Sequence, residues 1–251
     1  MGKLAVWSTV RETWRAVRLH AGALSRLLWP WVLLQFLAFI ATAASPLLLL
    51  LYQGHIHFVA LITVLTLLLV VTYLPIGTTT IRQVIEGPQR SAPLGRREGW
   101  YLLTGILSGL VILAVLLPMF GLGYVLGLEP QTVSWLVFAL VLLLVPSLNR
   151  LALSAVPAAL GQSRVDLLGA WRRTRGNGLR VFACNLLALL PILVINIGLA
   201  LVVPLLPKLL SGNGMLGVII LVALLRFLIS LVSVVVMATS MATIHRRLTE
   251  R

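Results

Sequence analysis

The sequence holds one cysteine and six acidic residues among 251 positions, and only 10% of its residues are charged. A lone Cys184 excludes an intramolecular disulfide framework and a cysteine-built zinc or iron–sulfur centre. Among apolar neighbours it reads as a small buried residue. The scarcity of charge excludes more, because a soluble domain is about 25% charged and this chain has too little polar surface to cover a water-exposed globule. Every acid, Glu12, Glu86, Glu98, Glu129, Asp166 and Glu250, falls outside the apolar runs. Carboxylates that would couple transport to protons or sodium, or serve acid–base chemistry, are therefore missing from those runs.

Catalytic and metal motifs are also missing. There is no HExxH and no Walker A, and apart from His57 at the outer edge of the second apolar run no His or Asp stands in a run to activate Ser108. His55 and His57 form a pair without a third ligand. The expectation is a protein that is not an enzyme and holds no metal and no cofactor.

What the chain does have is apolar length. Hydrophobic residues make up 60% of it, and its mean hydropathy is +1.06. A hydrocarbon core of about 30 Å needs roughly 20 apolar residues per helix. Six runs reach that length, at 27–51, 56–81, 100–126, 134–160, 182–206 and 215–243. They predict an all-α, polytopic integral membrane protein of six transmembrane helices in three hairpins. Residues 1–26 form a cytoplasmic amphipathic segment, 27–243 the membrane domain and 244–251 a cytoplasmic tail. Helices two and six end alike, in Thr78-Thr79-Thr80 and in Ser240 to Thr243, a weak sign of a hairpin repeat.

The net charge of +14 follows the same division. Of the 20 Lys and Arg, 17 lie in the N-terminal arm, the second and fourth connections and the tail. Only Lys208 lies in the opposite connections, and Arg150 and Arg226 fall within runs. The positive-inside rule places both termini in the cytoplasm. Charge spread over four cytoplasmic segments argues against nucleic acid and for anionic membrane lipid as the partner; protein partners are not legible. The first run is longer than a signal h-region of about 7–15 residues, so the N-terminus is expected to be retained.

Val6, Trp7, Val10, Trp14, Val17, Ala21 and Leu24 share one helical arc, with Arg11, Arg15 and Arg18 beside it. This predicts a helix lying in the cytoplasmic interface with Trp7 and Trp14 at headgroup depth, or a pre-helix that leads into the first span. The fourth connection predicts a second interfacial helix, capped by Ser163 with Asp166 reaching back, and ended by Gly176-Asn177-Gly178. Its interfacial residues are Trp171, Arg172, Arg175, Asn177 and Arg180.

Arg226 stands deep in the sixth run with no acid in any run to pair with it. It must be satisfied by carbonyls, hydroxyls, water or an anion, so it is a candidate site for an anionic headgroup. Arg150, with Asn149 beside it and Pro146 and Pro157 nearby, either lines a polar cavity or snorkels to the inner boundary. Prolines at 46, 75, 118, 146, 157, 191 and 204 read as kinks and packing features, and Gly105 with Gly109 as a close helix contact.

The stretch Asn149-Arg150-Leu151 to Pro157-Ala158, with Ala170-Trp171-Arg172 and Thr174-Arg175-Gly176-Asn177 through Arg180, resembles a pattern of bacterial six-helix inner-membrane proteins. These are the YciC-like proteins and the membrane domain fused to some glycerophosphodiester phosphodiesterases. The resemblance implies a bacterial inner membrane and brings no activity, since the phosphodiesterase's soluble catalytic barrel has no counterpart here. The functional expectation is binding or handling of membrane lipid or another anionic amphiphile, or support of envelope homeostasis. The alternatives are a permease or transporter subunit and an assembly or scaffold partner.

Overall fold

The computed structural model describes residues 3–43, 56–89, 95–127, 129–162, 166–202 and 214–250. Helices make up most of these residues, with no strand among them: α1 Val6–Ala43, α2 Ile56–Ile85, α3 Arg96–Val125, α4 Pro130–Ala152, α5 Ala155–Ala159, α6 Leu167–Arg173, α7 Gly178–Val202 and α8 Gly214–Thr249. Pro46, the turn at 52–55, Ser163, Pro204 and the turn at 207–213 lie outside the described residues. Among the described residues three helices are long and apolar enough to cross a membrane, at Val6–Ile40, Gly178–Val202 and Leu221–Thr249. A fourth span results if the bent pair Gln131–Val141 and Leu143–Ala159 is one crossing; the sequence alone counts six.

The N-terminal segment does not form a separate interfacial helix. It is the first half of the 38-residue α1, which runs unbroken through Pro30. The reason is tertiary: Leu4, Thr9, Val10 and Thr13 are buried, and α1 packs on α2, α7 and α8. The pre-helix alternative describes it. Arg11, Arg15, Arg18 and Arg26 stay on its exposed face.

The fourth predicted span is also not one helix. Its axis turns by 47° around residue 142, the position whose carbonyl Pro146 cannot serve for want of an N–H. The helix then stops at Leu153 and Ser154 before resuming as α5. Pro157 leaves the Leu153 carbonyl without its helical donor, and the Ser154 hydroxyl donates to the Leu151 carbonyl at 2.6 Å. The short α5 is buried, and it packs against α3.

Burial concentrates where the start of α1, the end of α2, α5, the start of α7 and the end of α8 meet. Leu4, Ile81, Val156, Val181, Cys184, Ala242 and Ile244 form that core. Its interior is also polar, with Thr78, Thr79, Thr80, Ser240 and Thr243 buried. Thr78, Thr80 and Thr243 return their hydroxyls to carbonyls four residues back, at 2.7 to 2.9 Å, which satisfies them within their own helices. Toward the other end, large apolar side chains such as Leu37, Ile40, Val194, Ile197 and Leu221 are exposed.

Glu98 belongs to this packed end and not to a solvated loop. It is 3% exposed in the first turn of α3. Its carboxylate accepts the Gly95 amide at 2.9 Å, as a glutamate reaching back at a helix start does, and at 3.1 Å it shares the single Thr78 hydroxyl proton with the Leu74 carbonyl.

Candidate anion-binding crevice

α6 is set by Asp166, whose carboxylate accepts the Gly169 amide at 2.7 Å. Asp166 is thus the cap itself, where the sequence reading had it reaching back to Ser163. A Cβ at Gly169 would collide with this carboxylate. The helix ends after two turns, and Gly176, at φ +77°, turns the chain into α7.

That turn brings α6 and the start of α7 against the end of α4. Arg150 donates from Nε to the Thr174 hydroxyl at 2.8 Å and from Nη2 to the Trp171 carbonyl at 2.7 Å. Its guanidinium carbon lies 3.6 Å from the centre of the Trp171 ring. A planar cation is thus held by two hydrogen bonds and an aromatic face, while Nη1 has no partner among the described residues. The Arg150 stem crosses the first residue of α7, where a Cβ on Gly178 would lie 2.9 Å from Cδ.

Arg180 approaches the same space and donates from Nη1 to the Leu4 carbonyl at 3.0 Å. Pro146, Ser147, Arg150, Gly178, Leu179 and Arg180 line a crevice of about 440 Å³. Among the described residues two cationic groups and no acid face it, and the first amides of a helix, which lack intrahelical acceptors, begin at its wall. Chemically this is a receptor for an anionic oxygen group, with bidentate guanidinium donors available.

Asn149 does not join its neighbour there. It turns into the bundle, donating to the Val145 carbonyl at 2.9 Å and accepting from Asn185 at 2.8 Å. Asn177, read as interfacial, is 3% exposed and accepts the Leu4 amide at 2.9 Å. Trp171 is half-exposed, whereas Arg172 and Arg175 are exposed. Trp7 is exposed, and Trp14 packs partly buried beside Ala188, Ile192 and Val236.

Arg226 is exposed on α8 among exposed Leu224, Leu225 and Leu228. The structure does not bring it to Arg150, and it has no partner among the described residues. Sequence reasoning missed Thr174, Gly178 and Asn185. Asn185 had a visible signal, an amide inside an apolar run. No protein-family model, curated protein or solved structure matches this chain.

Proposed function

We propose that this chain is a multi-pass protein of a bacterial inner membrane, with six spans and both termini cytoplasmic, that binds an anionic amphiphile without transforming it. The crevice between Arg150 and Arg180 is the observation that carries this reading. An arginine clamped by Thr174 and Trp171 is pre-organised, so little side-chain entropy is lost when an anion docks. The 17-to-1 distribution of basic residues supports the orientation, and the resemblance noted above supports the compartment.

In this reading the cytoplasmic edge of the hydrocarbon crosses α1 near Arg26. Leu24 and Leu28 share a cluster with Leu231, Val234 and Val235, which carries that level to about Val236 on α8. The polar, packed ends of the helices then project past the lipid into the cytoplasmic interface. Arg150, at the end of α4, lies at headgroup depth, where a phosphate or carboxylate meets it without leaving the interface.

Native mass spectrometry in mild detergent tests the proposal on wild type, Arg150→Ala and Arg180→Ala. Wild type is expected to retain a defined anionic lipid that both variants lose while remaining folded by circular dichroism. Equal retention of the same lipids by all three overturns it.

A further inference from the structure

A second crevice, of about 660 Å³, opens between α2, α3, α7 and α8. Its volume is in the range of roughly 300–1,000 Å³ usual for small-molecule sites. Tyr73, Tyr101, Gly105, Ser233, Met237 and Met241 are among its walls, and among the described residues no charged side chain lines it. Its polar groups are nearly all engaged. The Tyr73 hydroxyl is bonded to the Ser230 hydroxyl at 2.6 Å, and Ser233 donates to the Ile229 carbonyl at 2.7 Å. The Tyr101 hydroxyl, lying against Gly77, has no hydrogen-bond partner among the described residues.

Water is a poor occupant, because each buried molecule needs about two to four polar partners. An anion finds no cation here among the described residues. An apolar chain fits the walls, and the two methionines can adapt to its shape. The single vacant hydroxyl asks for one oxygen acceptor at a defined place along that chain.

We propose that this crevice binds a fatty acyl chain, with its ester oxygen accepting from Tyr101. The inference deepens the amphiphile reading and rests on it for membrane insertion, but it uses none of the residues of the Arg150 crevice. The acyl chain could belong to a charged phospholipid or to a neutral diacylglycerol, and the two sources are separable by probe.

The test is photolabelling of the full chain in phosphatidylethanolamine vesicles. The probes are phosphatidylglycerol and diacylglycerol with a diazirine on one acyl chain, and a diazirine alkane without an ester. A Cβ at Gly105 meets nothing within 4 Å, so Gly105→Leu fills the crevice without forcing the helices apart. Wild type is expected to be labelled on peptides covering 101–106 and 233–241, and Gly105→Leu to lose that labelling while keeping labelling on the exposed 194–197 face. Tyr101→Phe, which keeps the ring, is expected to lower crevice labelling by the ester probes about 5-fold, the worth of one hydrogen bond, and to leave the alkane unchanged. Labelling by phosphatidylglycerol alone identifies a phospholipid chain, and labelling by both ester probes identifies the acyl ester itself. Crevice labelling that survives Gly105→Leu, or labelling confined to the outer face, overturns the proposal. Equal labelling by the alkane and the esters in both wild type and Tyr101→Phe also overturns it. Arg150→Ala is expected to leave crevice labelling intact, so failure of the anion site and failure of this site are read separately.

Discussion

Asn149 and Asn185, on α4 and α7, share a hydrogen bond of 2.8 Å. Asn185 then accepts from Ser240 of α8 at 2.7 Å, so one side chain that is 2% exposed ties three helices together. Replacing it with leucine leaves the part-buried Asn149 carbonyl and the buried Ser240 hydroxyl without that partner. Asn185→Leu is expected to destabilise the protein by roughly 1–3 kcal/mol, read as a lower midpoint in unfolding by sodium dodecyl sulfate. Asn185→Leu and Ser240→Ala together are expected to cost less than the sum of the two single changes. Additive losses would mean that the three groups do not act as a unit.

Gly178 gives a test of the anion crevice that removes no charge. A Cβ there would lie 2.9 Å from Arg150 Cδ, so Gly178→Ala is expected to push the guanidinium off the Trp171 ring and away from Thr174. Alanine favours the helix over glycine by about 1 kcal/mol, which offsets part of the strain. The expected outcome is a protein that melts close to wild type but retains less anionic lipid in native mass spectrometry. Undiminished retention would show that the position of Arg150 does not matter to binding.

The helical class was legible because apolar runs of 20 or more residues, free of acids, leave no other economical way to satisfy the backbone. The charge division was legible for the same local reason. The breaks in the fourth run, one inside α4 and one between α4 and α5, had a local cause in Pro146 and Pro157, but run length alone joined the pieces into one span. What local pattern could not give was which faces meet. Leu4 looks like a free end, yet its amide and carbonyl are held by Asn177 and Arg180, more than 170 positions away. Asn149 and Arg150 are neighbours in sequence, but the helix points one into the bundle and the other at α6. Arg226 drew attention through its depth, which sequence gives, whereas its facing depends on where Phe36 and Phe39 meet Phe227.

Glu12 binds the two ends of the chain. Its carboxylate pairs with Arg246 and, at 2.6 Å, with Arg247, and Arg247 also donates to the Ser8 hydroxyl at 2.5 Å. These side chains are part-exposed, so each pair contributes about 0.2–1 kcal/mol and is open to screening by salt. Glu12→Gln is expected to lower the melting temperature at low ionic strength. The gap to wild type should narrow at about 1 M sodium chloride, where the Debye length falls to roughly 3 Å. A gap that stays constant across salt would assign the loss to packing of α1 on α8.

Arg226 provides the sharpest contrast with Arg150, because the two arginines share a charge and differ in every contact. It lies ten residues before Val236, roughly 15 Å along α8, which in the six-span reading is the middle of a core about 30 Å thick. An arginine facing lipid at that depth costs about 2.5–3.5 kcal/mol on insertion scales, and no described residue compensates it. Arg226→Leu is therefore expected to raise stability in lipid nanodiscs, measured by thermal unfolding, and to leave the lipid retained at the Arg150 crevice unchanged. The opposite result, loss of stability or of bound lipid, would show that Arg226 meets an anion or a hydroxyl beyond the described residues. Its cost in the membrane would then be offset by binding.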